Sequence, residues 1–197
     1  MIENPFVSVV MTTYNHQSFI AQAIESVIMQ KTNFQFELVI GEDCSTDHTT
    51  IICREYALKY PNIIKLLSRG RNLGMKENGK QTINEARGKY IAILEGDDYW
   101  VDENKLQMQV DLLEKDQTAT LCFTQVSVFD EKQQSFQDHW SRYYNSKERY
   151  TLKDILKKFN IVTCTVVFKN VFGKLPYNPL DFPTGDVVLF SFILLKG

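Results

Sequence analysis

The chain has 197 residues, of which 44% are hydrophobic and 23% charged, the composition of an ordinary globular domain with a full core. A net charge of -2, from 22 basic and 24 acidic residues, excludes a nucleic-acid-binding face that depends on a basic excess. The 4 cysteines contain no CxxC pair and the 3 histidines no HExxH pattern, so no zinc site is indicated and the cysteines are predicted to be buried thiols.

The first half of the chain alternates predicted strands with predicted helices. Residues 6–14 are β-branched and almost continuously apolar, which is typical of a strand buried on both faces. In the segment 16–30 apolar residues recur three and four positions apart, as they do in an amphipathic helix. The alternation continues along the chain, and it predicts strands at 36–45, 63–69 and 89–94, a helix at 45–60, and a loop followed by a helix within 72–88.

The second half has a less regular pattern. It predicts a helix at 104–116, a long strand at 120–130, a polar and aromatic surface segment at 131–150, a short helix at 151–159, a strand at 161–170 and a final helix at 185–197. Strands that alternate with helices predict an α/β domain with a doubly wound, mostly parallel sheet. No repeat or linker divides the sequence, so residues 1–197 are predicted to form a single domain.

Three of the predicted strands end in polar clusters. The clusters are "TTYN" at 12–15, "EDCSTD" at 42–47 and "EGDD" at 95–98. Ligands of doubly wound sheets bind beyond the carboxyl ends of the strands. We therefore expect the three clusters to converge on one edge of the sheet and to form a site there.

The "EGDD" cluster predicts a metal ion. Glu95, Asp97 and Asp98 would raise one another's pKa values unless a cation compensated their charge. Oxygen ligands without a nearby His or Cys favour Mg²⁺ or Mn²⁺, ions that share their coordination with phosphate groups. The alternative is a solvated acidic turn, and the second acidic cluster on the same edge counts against it.

The other two clusters suit a nucleotide. An acid at the position of Asp43 commonly bonds a ribose or a base edge, although a helix dipole alone would also favour a negative charge there. The "TTYN" cluster offers hydroxyls and an aromatic face for stacking a base, or it is an ordinary polar turn. The chain lacks GxGxxG and GxxxxGK[ST] loops. A metal and a basic residue would then have to neutralise a diphosphate, and the candidates are Arg69, Arg71, Lys76 and Lys80.

Four segments in consistent order resemble glycosyltransferase family 2, whose members have the GT-A fold. They are "VSVVMTTYNHQSFIAQAIESVIMQ" at 7–30, "ELVIGEDCSTDHT" at 37–49, "NLGM" at 72–75 and "GKYIAILEGDDYW" at 88–100. The resemblance runs from about Val7 to Leu106 and is weaker beyond. The "EGDDYW" form resembles a branch of the family that is common in bacterial surface-polysaccharide gene clusters.

The resemblance implies roles for residues near the donor. Thr12, Tyr14 and Asp43 match the positions that hold the nucleoside, usually uridine, and Asn15 belongs to the same nucleotide-binding cluster. Many relatives carry an arginine near the diphosphate after the "NxG" loop. This chain has Lys76 and Lys80 in that region, and Lys76 is the predicted replacement.

The resemblance also implies the metal ligands and the catalytic base. Asp97 and Asp98 match the metal-binding part of the DxD motif, in which Glu95 replaces the usual first Asp and remains able to accept a bond from a ribose or a metal-bound water. Asp186, in "TGDVVLF", matches the catalytic base of inverting enzymes. The alternative for Asp186 is a charge that only stabilises the start of the following helix.

The predicted activity is inverting transfer of a sugar from a nucleotide-diphosphate donor, expected to be a UDP-sugar, to a hydroxyl of a sugar or lipid-linked glycan, with Mn²⁺ or Mg²⁺ as cofactor. Residues 1–106 are expected to bind the nucleotide sugar, and 107–197 to form an acceptor side that continues beyond Gly197 in a longer protein. The resemblance implies a cytoplasmic location, at the inner face of the plasma membrane, and no nucleic-acid partner. A nucleotidyltransferase, or a non-catalytic sugar-nucleotide-binding domain of the same fold, is the alternative.

Overall fold

A computed structural model of the chain describes residues 4–137, 149–157, 161–172 and 185–196. The middle of the predicted surface segment at 131–150 lies outside the described residues. The described strands are β1 (Val7–Thr13), β2 (Phe36–Glu42), β3 (Ile64–Ser68), β4 (Tyr90–Glu95), β5 (Leu121–Cys122), β6 (Val128–Asp130), β7 (Ser135–Gln137) and β8 (Val167–Lys169). The helices are α1 (Ile20–Ile28), α2 (Thr49–Lys59), α3 (Met75–Ile83), α4 (Lys105–Lys115), α5 (Leu152–Lys157) and α6 (Gly185–Leu195), with a 3₁₀ helix at Thr163–Thr165.

Six of these strands form one sheet in the order β3-β2-β1-β4-β8-β5. The first four strands along the chain are parallel to one another, and their pairing aligns Thr12 with Gly41 on one side and with Glu95 on the other. Strand β8 runs antiparallel to both β4 and β5. Strands β6 and β7 form a separate hairpin. The predicted doubly wound, mostly parallel sheet is confirmed.

The sheet is covered by helices on both faces because successive side chains of a strand point to opposite sides. On β1, Val9 and Met11 join an apolar cluster with side chains of α1, α2 and α4. Val10 faces the other way and joins a second cluster with Ile155 of α5 and Phe190 of α6. This arrangement explains why β1 carries apolar side chains on both faces, at Val7, Val9, Val10 and Met11, since neither face meets water.

Two predicted strands of the second half are wrong in extent. The predicted strand at 120–130 is divided into β5 and β6, because β6 pairs with β7 in the hairpin and does not continue the main sheet. The predicted strand at 161–170 begins as the 3₁₀ helix. The hydroxyl of Thr165 donates to the carbonyl of Val162 at 2.7 Å and its amide donates to the same carbonyl at 3.0 Å, a local alternative to ladder pairing.

Helix α6 is apolar around most of its circumference, and it buries Leu189, Phe190 and Ile193 against the sheet and α5. A helix of this character belongs in the interior of a fold. Within the described part of the chain, no helix is long and apolar enough to cross a membrane.

Gly41 of β2 allows helix α3 to lie directly on the sheet. A Cβ at this position would be 2.0 Å from Thr82 Oγ1 and 2.8 Å from Asn78 Oδ1. Both of these α3 residues are buried, and Asn78 also donates through Nδ2 to the carbonyl of Gly41 at 2.8 Å. This close approach leaves no room for a side chain at position 41 of β2.

We expect Gly41→Ala to lower the free energy of unfolding by about 1–3 kcal/mol, because α3 must move away from β2 to admit the methyl group. Chemical denaturation measures the change. Gly70→Ala is the matched control, since a Cβ at Gly70 meets nothing within 4 Å and the loss of chain entropy in the unfolded state is expected to leave stability unchanged or slightly raised. Equal effects of the two substitutions would contradict the close approach seen at Gly41.

A buried lysine joins α4 to the 3₁₀ helix. Lys105 is only 5% exposed, and its Nζ lies 4.5 Å from the centre of the Trp100 ring. It donates to the carbonyl of Thr165 at 3.2 Å and to the side-chain oxygen of Gln109. Trp100 Nε1 donates to the carbonyl of Cys164 at 2.8 Å, so α4 and the segment before it fix the position of the 3₁₀ helix. Burial lowers the pKa of Lys105 to about 8.

This lowered pKa predicts a pH-dependent stability. Between about pH 8 and 10.5 the unfolded lysine binds a proton that the folded one has lost, so this group raises the free energy of unfolding as the pH rises. Lys105→Met removes the contribution. The free energy of unfolding of the variant minus that of the wild type is therefore expected to fall by about 2–3 kcal/mol between about pH 7 and about pH 10.

Denaturant unfolding at several pH values checks this expectation. Cys122 and Cys164 interact with Lys105, but burial keeps both folded thiols protonated over this pH range in wild type and variant, so their effect largely cancels in the difference. Lys115→Met, at an exposed lysine of the same helix, serves as the control and should give a difference that is independent of pH. A flat difference for Lys105→Met would show that Lys105 stays charged in the folded protein.

Candidate functional site

The acidic cluster forms a tight turn at the carboxyl end of β4. The amide of Gly96 donates to the carbonyl of Thr12 at 2.9 Å, which continues the pairing of β4 with β1 by one more bond. The amide of Asp98 then donates to the carbonyl of Glu95 at 3.1 Å and closes the turn. The three carboxylates therefore start from a backbone that is held directly beside the end of β1, as the sequence predicted for the edge of the sheet.

Glu95 and Asp98 lie together with the thiol of Cys164. One ligand atom from each of the three residues lies within 4.8 Å of the other two. Burial raises the pKa of Glu95 to about 7, and the charges of Asp98, Asp97 and Asp186 act in the same direction. Partial desolvation of its carboxylate also raises the pKa of Asp98, an otherwise exposed residue, although a hydrogen bond from Cys164 opposes this effect. The thiol itself is held protonated, because burial and the two carboxylates raise its pKa.

Asp97 faces a different neighbour. Its Oδ2 lies 3.8 Å from Nε2 of His16, at the distance of an ion pair, and its side chain is 52% exposed. The structure thus divides the predicted metal ligands into Asp98, which lies with Glu95 and Cys164, and Asp97, which lies beside His16.

Asp186 is in the first turn of α6, as the sequence predicted. Its Oδ1 accepts a hydrogen bond from the amide of Val187 at 2.9 Å. Its charge contributes to the raised pKa of Glu95, so it lies within electrostatic reach of the acidic turn. Asp186 therefore comes within electrostatic reach of Glu95 although 90 residues of sequence separate it from Gly96.

The end of β1 and the loop after it hold three of the predicted nucleotide-binding residues. Thr12 is half-buried at the end of β1, and the side chain of Tyr14 is 41% exposed. Asn15 has a left-handed backbone with φ of 56°, and its Oδ1 accepts hydrogen bonds from the amide of Thr46 at 2.8 Å and from the Thr46 hydroxyl at 3.2 Å. Asn15 thus ties the loop after β1 to the loop after β2, and Tyr14 keeps an open aromatic face.

Asp43 is only 2% exposed, and its carboxylate organises a third loop. Its Oδ1 accepts from the amide of Leu73 at 2.7 Å and its Oδ2 accepts from the amide of Gly74 at 2.9 Å. The amide group of Asn72 also donates to the Asp43 carbonyl at 3.1 Å. Asp43 therefore fixes the "NLG" loop that precedes α3, a structural role that the sequence had not indicated.

The basic candidates are distributed over this loop and α3. Lys76 lies half-buried in the first turn of α3, and Lys80 lies one turn later. Arg69 instead donates to Asn78 Oδ1 at 3.2 Å and to Thr82 Oγ1 at 3.4 Å, so its guanidinium supports the packing of α3. Arg71 is exposed.

His16 and Cys164 are the two site residues that the sequence analysis missed, and its premise that no His or Cys lies near the acidic cluster is wrong. His16 follows the "TTYN" cluster directly, and this position at the carboxyl end of a predicted strand was an available signal. Cys164 had no such signal. It reaches the acidic turn because β8 runs antiparallel to β4, so the residues that precede β8 lie beside the carboxyl end of β4.

A cleft of about 1130 Å³ opens beside the acidic turn. Asp97, Asp98 and Trp100 line it on one side, Met108 of α4 on another, and Phe129 and Phe136 of the β6–β7 hairpin on a third. Carboxylates and aromatic rings thus face the same space, which is large enough for a small organic ligand.

The chain matches a family model and several known proteins. The model of Glycosyl transferase family 2 matches residues 8–175. The uncharacterized protein Rv1520 of Mycobacterium tuberculosis is 40% identical over 124 residues, which cover 63% of this chain and 36% of that protein. Escherichia coli WfgD, a UDP-Glc:alpha-D-GlcNAc-diphosphoundecaprenol beta-1,3-glucosyltransferase, is 32% identical over 114 residues, which cover 58% of this chain and 43% of WfgD. The chain thus spans less than half the length of these relatives.

Solved structures show the same fold. Staphylococcus aureus TarS in complex with UDP superposes with a TM-score of 0.68 at 20% identity, over 96% of this chain and 55% of that chain. The mannosyltransferase PcManGT of Pyrobaculum calidifontis, in complex with GDP-Man and Mn²⁺, gives a TM-score of 0.64 at 21% identity, over 85% of this chain and 45% of that chain. The predicted GT-A fold is confirmed by these neighbours. Because the family model covers well over half of the sequence, the chain belongs to glycosyl transferase family 2.

Proposed function

We propose that this chain carries the catalytic domain of an inverting, metal-dependent glycosyltransferase. It would move a sugar from a UDP-sugar to a hydroxyl of a growing glycan in the synthesis of a cell-surface polysaccharide. The observation that carries the proposal is the acidic turn of Glu95, Asp97 and Asp98 at the carboxyl end of β4, with Asp186 within electrostatic reach of Glu95. An acid that takes a proton and acids that hold a cation are the two groups that this reaction requires.

The acidic turn fits a divalent cation. Oε2 of Glu95 is buried and has no hydrogen-bond partner among the residues that the structure describes. Burial and mutual repulsion disfavour the charged forms of Glu95 and Asp98, and a bound cation would remove this penalty. Asp97 and Asp98 would hold Mn²⁺ or Mg²⁺, with Glu95 beside them. Such an ion, when bound, neutralises the charge that develops on the departing nucleoside diphosphate.

The loops around the turn would bind the nucleotide. The exposed ring of Tyr14 offers a face on which a base can stack, next to Thr12 and Asn15. Each carboxylate oxygen of Asp43 retains acceptor capacity beyond the amides of Leu73 and Gly74, so a bond to the base or ribose is compatible with its loop-holding role. Lys76 at the start of α3 would face the diphosphate. The UDP in TarS and the UDP-Glc in the name of WfgD support uridine as the base.

Asp186 would act as the base. Its carboxylate takes the proton of the acceptor hydroxyl as that oxygen attacks the anomeric carbon from the face opposite the leaving group. A single displacement inverts the anomeric centre and needs no enzymic nucleophile. The lipid-linked acceptor in the name of WfgD supports a lipid-linked glycan acceptor, which would place this domain at the inner face of the membrane.

Binding of UDP tests the donor site. We expect calorimetry to show UDP binding that strengthens with Mn²⁺, and Asp97→Ala to abolish the strengthening because it removes a carboxylate from the cation. Asp111→Ala, at an exposed acid of α4, is the matched control and should bind as the wild type does. Binding that ignores both Mn²⁺ and Asp97→Ala would remove Asp97 from the site. Binding of a different nucleotide in place of UDP would contradict only the uridine assignment.

Asp186→Asn tests catalysis separately from binding. The amide keeps the shape of the side chain but cannot take a proton, so we expect sugar transfer to fall by at least about 100-fold while Mn²⁺-dependent UDP binding stays within about threefold of the wild type. A screen of UDP-sugars with glycan acceptors provides the assay. Wild-type binding without turnover of any donor would favour the non-catalytic sugar-nucleotide-binding alternative.

A further inference from the structure

We infer that His16 is a positioning residue for Asp97, holding its carboxylate in the orientation that binds the cation. The inference rests on the proposed function, because it assumes that Asp97 binds a divalent cation. It adds to the acidic residues of the site a histidine from the loop after β1, which acts on the cation only through Asp97.

The backbone of His16 is fixed from both directions. Its amide donates to Thr49 Oγ1 at 2.8 Å, which attaches it to the start of α2. Its carbonyl accepts from the amides of Phe19 and Ile20, both at 2.9 Å, which attaches it to the start of α1. The ring therefore projects from a rigid junction between β1, α1 and α2, and a rigid support is what a positioning residue needs.

The ring lies against the backbone of the acidic turn. A Cβ on Gly96 would be 3.0 Å from His16 Nδ1 and 2.6 Å from Thr13 Oγ1. Glycine at position 96 is therefore what allows the ring to approach the turn. From this position the other nitrogen of the ring, Nε2, lies 3.8 Å from Oδ2 of Asp97.

The polar character of the ring is not explained by packing. Nδ1 is buried and has no hydrogen-bond partner in the described part of the chain. The neighbouring Thr13 Oγ1 is also buried and also lacks a partner there. A buried polar atom without a partner is unfavourable, so an apolar side chain of similar size would fill this space better. The ring atom that can act on Asp97 is Nε2, which carries a hydrogen in the protonated ring and in one neutral tautomer.

Asp97 needs such a partner because of where it lies. It projects from the tip of a turn, and its side chain is 52% exposed. Within the described ranges, His16 is the residue whose ring nitrogen lies at ion-pair distance from it, 3.8 Å from Oδ2. Attraction of Oδ2 toward Nε2 limits rotation of the carboxylate and leaves Oδ1 for the cation. Groups that orient a metal-binding side chain in this way strengthen metal binding by about 10–100-fold.

Three substitutions separate this role from a structural one. His16→Leu keeps apolar volume and removes both nitrogens. His16→Gln places an amide nitrogen near the position of Nε2, and His16→Asn places one near the position of Nδ1. Because the inferred role belongs to Nε2, glutamine should rescue it and asparagine should not.

The measurement is the affinity for Mn²⁺ at saturating UDP, read from the electron paramagnetic resonance signal of unbound Mn²⁺, on the full chain. We expect His16→Leu and His16→Asn to weaken Mn²⁺ binding by about 10–100-fold, and His16→Gln to remain within about threefold of the wild type. Thermal unfolding without Mn²⁺ should give similar midpoints for the asparagine and glutamine variants.

The outcomes distinguish this inference from the proposed function. Wild-type affinity in all three variants, or equal losses in the asparagine and glutamine variants, would overturn the role of His16 and leave the proposed function standing. Failure of the unaltered chain to bind Mn²⁺ with UDP, with no effect of Asp97→Ala on UDP binding, would overturn the cation site and the role of His16 together.

Discussion

The site depends on the parallel pairing of β1 with β4. Their register aligns Thr12 with Glu95, and the bond from the Gly96 amide to the Thr12 carbonyl extends the ladder past the last residue of β4. A shift of this register by one residue would turn the side chains of β4 to the opposite face of the sheet. It would also separate the acidic turn from the loop after β1. The core on both faces of the sheet fixes the register, so the stability of the apolar interior is also what brings the polar groups together.

The loops at this edge are bonded to one another through side chains. Asn15 accepts from Thr46, the amide of Gln17 donates to Asp47 at 3.1 Å, and the amide of His16 donates to Thr49. Asp43 attaches the "NLG" loop to the end of β2 in the same way. Each of these bonds links a side chain to a backbone group, so irregular segments obtain the rigidity that the strands obtain from their ladder. Binding loops that are organised before the ligand arrives lose less entropy when it binds.

Much of this arrangement could be predicted from the sequence, because it follows from local patterns. Apolar runs identified all four parallel strands, an amphipathic period identified the first helix, and capping residues and a closing glycine indicated the next two. The parallel topology then implied that "TTYN", "EDCSTD" and "EGDD" meet at one edge. The second half was less predictable. The direction of β8 and the division between β5 and β6 depend on which strand pairs with which, and no local pattern records that choice. For this reason Cys164 was predicted only as a buried thiol, and its place beside Asp98 was not anticipated.

The direction in which the ring of His16 points is set by contacts with α1, α2 and Gly96, and these contacts also arise only in the folded chain.

The glycine at position 96 couples the side chains that three positions of this chain can accept. A methyl group there would collide with Thr13 and would press on His16, so residues from two distant parts of the sequence limit each other's replacement. A larger residue in the middle of the acidic turn would fit only if the side chains at 13 and 16 were smaller or turned away. Any redesign of the acidic turn in this protein must therefore include the end of β1 and the loop that follows it.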